Sequence, residues 1–169
     1  ALEGGHLWRY PTRGQCLRCH GAQSLRALGP EVVQLQAPPA EGEASVLEQW
    51  FEQGFFVPEF EALDELPGYE LAPLPALKSE ASLEERARAY LHVNCANCHQ
   101  PDGIGQGTMD FRWQTPLEEM GVCEVKPEEG QMWLSGTYWL LAPGDPDHSL
   151  MLLRMETLNK CRMPDLGSH

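Results

Sequence analysis

Cys16-Leu17-Arg18-Cys19-His20 and Cys95-Ala96-Asn97-Cys98-His99 are two copies of one pattern, Cys-x-x-Cys-His, in a chain of 169 residues. On a helical turn, positions i, i+3 and i+4 lie on one face, so two thiols and an imidazole point the same way. This pattern is the attachment signature of c-type haem, whose ring is bound by the thiols and whose iron is bound by the histidine. The sequence therefore predicts two covalently bound haem c groups. The ring-binding residues are Cys16, Cys19, Cys95 and Cys98, and the iron ligands are His20 and His99.

Zinc and dithiol chemistry are the alternatives for a Cys-x-x-Cys pair. Zinc ribbons keep their two cysteine pairs roughly 15 to 20 residues apart. The two pairs in this chain begin 79 residues apart, at Cys16 and Cys95. A zinc ribbon also has no need of a histidine directly after the second cysteine of both pairs. We therefore favour haem at both motifs.

Met163 is the expected distal ligand of the second haem. It follows His99 by 64 residues and directly precedes Pro164, in a stretch too loop-like for a helix core. Small cytochromes c place a distal methionine at this position, and such a ligand raises the reduction potential. The competing methionines are Met109, Met120, Met132, Met151 and Met155. The last two lie on a helical pattern that is more typical of core packing.

The distal ligand of the first haem is less well defined. Residues 1–80 contain no methionine and only one histidine besides His20, namely His6. The alternatives that stay open are His6, His92, a methionine from the second half of the chain, and an empty position. We favour His6, and we expect His92 to face solvent on a helix. His148 and His169 are expected to be surface residues.

The fold class that we predict is mainly α, with two small haem-binding units and long irregular loops. A proline-rich segment at about residues 57–78 excludes a long helix and indicates a semi-rigid linker. We therefore expect an N-terminal unit at residues 1–78, which includes this linker, and a C-terminal unit at residues 79–169.

Helix boundaries are predicted from capping residues. Thr12 is expected to cap a short helix that carries the first motif, and Ser82 with Glu85 forms a capping-box pattern for a helix that runs into Cys95. A third helical pattern spans 44–53 and ends at Gly54. A fourth helix is expected to start with Asp145 as its cap and a proline at the next position.

The compartment follows from the cysteines. Haem is attached to this motif outside the bacterial cytoplasmic membrane, where disulfides also persist. We therefore expect a periplasmic or extracellular bacterial protein, in which Cys123 and Cys161 form a disulfide; a pair of free buried thiols is the alternative. The sequence contains no run of 18 apolar residues, so it predicts no transmembrane segment. The first residues lack the pattern of a signal peptide, which we interpret as the mark of a processed chain.

The chain is acidic, with 25 Asp and Glu against 12 Lys and Arg and a formal net charge of −13. This charge disfavours nucleic acid as a partner. It suits steering towards protein redox partners with basic docking surfaces, although a solvated acidic face without a partner is the commoner reason for such charge.

Taken together, these stretches resemble a group of bacterial periplasmic di-haem c-type cytochrome domains, some of which are joined to propeller-shaped dehydrogenase-like modules. The matching stretches include residues 8–16, 28–29, 34–35, 84–91, 94–99, 109–112, 143–146 and 163–167. The resemblance implies that the C-terminal unit is class I cytochrome c-like. Such domains usually continue into a C-terminal helix that this chain lacks after His169. We expect this helix to have been removed, or its packing to be supplied by a partner chain.

The function that these observations predict is a di-haem c-type cytochrome that relays single electrons between partners outside the cytoplasm. One alternative is a di-haem enzyme of the peroxidase or thiosulfate-oxidising type, with an open site at the first haem. The other is an electron-transfer subunit of a larger dehydrogenase or respiratory complex.

Overall fold

The fold is mainly helical in the computed structural model, which describes residues 10–21, 28–37, 40–56, 59–128 and 136–164. The α-helices are α1 (Arg13–Cys19), α2 (Val32–Leu35), α3 (Val46–Glu52), α4 (Leu83–Cys95) and α5 (Leu150–Glu156). Short 3-10 helices lie at Leu63–Glu65, Leu117–Glu119 and Pro146–His148. The prediction of a mainly α chain is confirmed. None of the described helices has the length and hydropathy needed to cross a membrane.

Three of the helices begin at capping boxes, two of them at predicted caps. The Thr12 hydroxyl accepts a hydrogen bond from the Gln15 amide at the start of α1. The Ser82 hydroxyl accepts one from the Glu85 amide at the start of α4. At the start of α3 the Ser45 hydroxyl accepts one from the Glu48 amide. A capping box satisfies amides that the first turn of a helix leaves without partners.

The start of α5 differs from the prediction. Asp145 caps the 3-10 helix Pro146–His148, and α5 begins only after Ser149. The side chain of Ser149 is fully buried. Its hydroxyl oxygen accepts a hydrogen bond from the Ala142 amide at 2.9 Å. It also donates to the Asp145 carbonyl at 2.8 Å. These bonds hold Ser149 in an extended conformation, which separates the two helical pieces.

The chain divides into two compact units, Leu28–Asn94 and Ala1–Ala27 with Cys95–His169. The boundary expected between residues 78 and 79 coincides with neither end of Leu28–Asn94. The reason lies in the proline-rich segment, which is part of this unit rather than a linker. Its Leu74 amide donates to the Val33 carbonyl at 2.9 Å, and its Tyr69 carbonyl accepts from Gln36 Nε2 at 2.7 Å.

The unit Leu28–Asn94 has its own core. The buried apolar side chains described in it are Val33, Leu47, Leu66 and Ala89. His92, which we expected to face solvent, is only 3% exposed. Its Nε2 lies 3.2 Å from Glu31 Oε2, so a polar contact between α4 and the residue that precedes α2 accounts for its burial.

The other unit wraps an irregular chain around the second motif. The Phe111 amide donates to the His99 carbonyl at 2.9 Å, and the neighbouring Asp110 amide donates to the Met120 carbonyl at 3.1 Å. Further along, an isolated β-bridge joins Cys123 to Leu141, and another joins Trp139 to Ser149. The buried apolar side chains described in this unit are Ala96, Phe111, Met120, Val122, Ala142 and Leu150. This path brings the loop after the second motif to the start of α5.

Candidate haem-attachment site

Both motifs form the same backbone turn. The His20 amide donates to the Cys16 carbonyl at 2.8 Å, and the His99 amide donates to the Cys95 carbonyl at 2.9 Å. Each bond joins position i+4 to position i, as in an α-helix. The first motif occupies the end of α1, whereas α4 ends at the first cysteine of the second motif. The helical turn that the motif chemistry needs is therefore present at both predicted places.

The two motifs differ in exposure. Cys16 and His20 are exposed, and Cys19 is half-buried. In the second motif, Cys95, Cys98 and His99 are half-buried, and Ala96 between them is buried. Burial raises the pKa of the Cys95 thiol.

The His99 ring is held in an apolar setting. It meets the buried Phe111 ring edge to face, with 5.5 Å between the ring centroids. Burial, helped by the positive charge of Arg154, lowers the pKa of His99, which favours the neutral imidazole. Its Nδ1 is buried and has no hydrogen-bond partner among the described residues. A neutral imidazole is the form that binds a metal.

A glycine loop closes over the second motif. The Gly105 amide donates to the Cys98 carbonyl at 2.8 Å, and the Gly103 amide donates to the Gln100 carbonyl at 2.9 Å. A Cβ added at Gly105 would lie 2.5 Å from His99 Nδ1 and 2.7 Å from the Cys98 oxygen. Only a residue without a side chain fits here.

Met163 lies on a segment tied to α5. Its amide donates to the Arg154 carbonyl at 2.7 Å, and Arg154 Nε donates to the Cys161 carbonyl at 2.9 Å. The Met163 side chain is half-buried. The positive charge of Arg154 also contributes to the lowered pKa of His99, which is the expected iron ligand of the second motif.

The other candidate ligands have different surroundings. Met120 is 1% exposed and packs in the core. Met151 and Met155 lie on α5, as the helical pattern predicted. The exposed His148 contacts Asp145, with 2.8 Å between Nδ1 and Oδ2, which agrees with its predicted place on the surface. His6, Met132 and His169 lie outside the described residues.

Cys123 and Cys161 are free thiols in this structure, and the disulfide that the sequence predicts between them stays a prediction. Cys123 is exposed beside Leu141, whereas the half-buried Cys161 is fixed by the bond from Arg154 to its carbonyl. The two cysteines are thus held by different local contacts. Within the described parts of the chain, no three His, Cys, Asp or Glu side chains come together as a metal-binding group.

Sequence reasoning missed the roles of three residues at the second motif. Arg154 is the only basic residue in the run Leu150–Glu156, and this isolated charge in a mostly apolar stretch is the sequence feature that could have indicated a role for it. Gly105 belongs to a glycine-rich loop whose close contact with the motif no local pattern predicts. Phe111 was noted in the family resemblance, but its packing on His99 depends on the fold of the loop between them.

These residues fit covalent haem at the second motif on three observations. The turn is helical, burial lowers the pKa of His99 and so favours the neutral imidazole that binds a metal, and a glycine rather than a residue with a side chain lies beside the ring. At the first motif the helical turn fits, and the flanking residues 1–9 and 22–27 lie outside the described ranges. Comparisons of the chain with protein-family models, curated proteins and solved structures gave no match.

Proposed function

We propose that this protein is a di-haem c-type cytochrome that relays single electrons between protein partners outside the bacterial cytoplasm. The observation that carries the proposal is the repeated motif with one turn geometry, in which the amides of His20 and His99 bond to the carbonyls of Cys16 and Cys95 at nearly equal distances. Two local sequences that are far apart in the chain adopt the arrangement that thioether attachment requires.

In this proposal, each of the following side chains has a defined role. The four motif thiols hold the rings, and His20 and His99 bind the irons. Phe111 orients the His99 ring, and the burial that lowers the pKa of His99 keeps a nitrogen lone pair available to the iron. A bound haem supplies an iron that accepts or gives up one electron.

The two sites are expected to differ in reduction potential. Axial ligands and burial are the principal means by which a protein sets this potential. Met163 is the proposed distal ligand at the second site, whereas the first half of the chain contains no methionine, and His20 is exposed while His99 is half-buried. A difference in potential would give direction to the electron flow, so a redox titration should resolve two midpoints.

The partner that we propose has a basic docking surface. The unit Leu28–Asn94, which contains neither motif, has 13 acidic against 3 basic residues. The unit with both motifs has the remaining 12 acidic and 9 basic residues. Most of the negative charge therefore belongs to the unit without haem motifs. Such a field steers basic partners and repels acidic ones.

A catalytic role at the first haem is the second candidate. It is favoured by the exposure of His20 together with the lack of methionine in residues 1–80. An iron without a strong distal ligand binds small molecules such as peroxide. Tight cyanide binding to the ferric first haem, with peroxide turnover, would favour this enzyme over the electron carrier.

The test of the main proposal is removal of one motif at a time in protein produced with its haem-attachment machinery. Cys16→Ala with Cys19→Ala, and separately Cys95→Ala with Cys98→Ala, should each leave a mass increase of one haem instead of two. The matched control, Cys123→Ser with Cys161→Ser, also removes two cysteines and should retain both haems. A wild-type mass equal to that of the bare polypeptide would overturn the proposal.

A further inference from the structure

Arg154 occupies the last turn of α5 and is half-buried. Two of its groups face the segment that follows the helix, because its carbonyl accepts a hydrogen bond from the Met163 amide and its Nε donates one to the Cys161 carbonyl. Both bonds are short, at 2.7 and 2.9 Å.

Two bonds from one residue fix the returning segment better than either bond alone. The carbonyl bond is made by the backbone and survives any substitution at position 154. The bond from Nε is made by the side chain, and its donor is a charged, planar group with fixed geometry. Charged donors form stronger hydrogen bonds than neutral ones. The Arg154 side chain therefore helps to fix the position of Cys161, together with the bond from the Cys161 amide to Asn159 Oδ1 at 2.8 Å, and Met163 follows two residues later.

The same residue belongs to the unit that contains the second motif. The start of α5 is also tied into the unit, since the Leu150 and Met151 amides bond to the Trp139 and Leu140 carbonyls. The helix that carries Arg154 is thus anchored at one end while its other end holds the segment with Met163.

We propose that Arg154 is a positioning residue that holds the Cys161–Met163 segment so that the Met163 thioether reaches the iron bound by His99. This inference rests on the proposed haem-binding function. It assigns Arg154 no contact with the iron, because its effect is transmitted through the segment that it binds.

The experiment uses the intact di-haem protein and compares wild type with Arg154→Ala, Arg154→Lys and Lys160→Ala. Two readouts report methionine ligation: the near-infrared band from sulfur to ferric iron, and the concentration of imidazole that displaces the sulfur. Lys160→Ala is the matched control, because it removes a positive charge from the exposed side chain next to Cys161.

Arg154→Ala should weaken the near-infrared band and lower the imidazole concentration needed for half displacement by about tenfold, the effect expected for one lost charge-assisted hydrogen bond. Arg154→Lys should give an intermediate shift, since its ammonium lacks the fixed fork geometry of the guanidinium. If the alanine variant does not assemble, the lysine variant tests the inference by the same two readouts. Lys160→Ala should behave as wild type, and the midpoint of the first haem should stay unchanged in all three variants.

The outcomes separate the inference from the function on which it rests. An unchanged imidazole affinity in both Arg154 variants would overturn the positioning role while leaving the cytochrome proposal intact. Equal changes at both haems would also overturn it, because they indicate a general loss of structure. A wild-type protein with two haems but no sulfur band would show that Met163 is not an iron ligand. It would therefore also overturn the positioning role of Arg154. A wild-type protein without covalent haem would overturn the function itself.

Discussion

At the scale of single residues, the second motif depends on a neighbouring position that has no side chain. Gly105 lies so close to the His99 ring and the Cys98 carbonyl that no side chain fits between them. In the sequence this glycine is one of three in the short loop from Gly103 to Gly107, and no local pattern indicates which of the three matters. Its importance comes from a contact with the motif rather than from its own backbone conformation.

Gly105→Ala is therefore expected to displace the His99 ring or open the loop. The added Cβ would meet His99 Nδ1 and the Cys98 oxygen at distances below 3 Å, and overpacking of this kind typically costs about 1 to 3 kcal/mol. We expect a lower yield of second-motif haem and a shifted midpoint for that haem, measured by mass spectrometry and redox titration.

Gly14→Ala is the matched control for this prediction. Gly14 lies within α1, and nothing comes within 4 Å of the Cβ that alanine would add. Alanine is also the better helix former. Haem content should match wild type in this variant, and an equal loss in both variants would contradict the steric explanation.

At the scale of elements, capping residues explain where the helices begin. The cap of α3 is the most buried of the three, since Ser45 is only 4% exposed. Its amide donates to Glu48 Oε2 at 2.6 Å, and its hydroxyl accepts from the Glu48 amide. The hydrogen bonds from Ser45 lower the pKa of Glu48. A lowered carboxyl pKa stabilises the fold above the ordinary value near 4.5, and this contribution is lost as the pH falls through the lowered pKa.

Ser45→Ala should lower the free energy of unfolding of this unit by about 1 kcal/mol, the usual cost of a lost N-cap. Urea denaturation followed by far-ultraviolet circular dichroism measures the change at pH 7. Ser79→Ala is the control, because the exposed Ser79 hydroxyl donates to the Ala76 carbonyl in a turn where water can replace it. A loss as large in Ser79→Ala would argue against the capping explanation.

At the scale of the whole molecule, most of the net negative charge lies in one unit and both Cys-x-x-Cys-His motifs lie in the other. The unit Leu28–Asn94 has a difference of −10 between its basic and acidic residues, against −3 for the unit with both motifs. The polypeptide as a whole carries a formal charge of −13. Electrostatic steering by such a charge acts on encounter rates and is screened by salt.

The rate of electron exchange with a small cationic metal complex should therefore fall by about tenfold as ionic strength rises from low to physiological values. The rate with an anionic complex should rise over the same range. Stopped-flow absorbance of the haem bands measures both rates, and a neutral reagent serves as the control. Equal salt dependence for cationic and anionic reagents would show that net charge does not govern encounter.

Local patterns fixed much of the fold in advance. The caps at Thr12 and Ser82 and the end of α3 before Gly54 were predicted because capping and chain reversal involve residues within a few positions of one another. The helical turns of the two motifs are likewise determined by residues within a few positions of one another. Such features need no knowledge of the rest of the chain.

Contacts between distant residues were not predictable in this way. The burial of His92 depends on Glu31, which is 61 residues away in the chain. The incorporation of the proline-rich segment into Leu28–Asn94 depends on its hydrogen bonds to Val33 and Gln36. The expected disulfide was inferred from the number of cysteines and the expected oxidising compartment, and neither contains information on distance.

The sequence by itself determined the helical turns of the two motifs and the starts of the helices that carry them, because both follow from residues within one or two turns. Only the tertiary structure decided which side chains surround His99, how Arg154 holds the segment with Met163, and where the units divide. The physical reason is that burial and hydrogen bonding between remote segments depend on how the whole chain packs, and no local pattern encodes that packing.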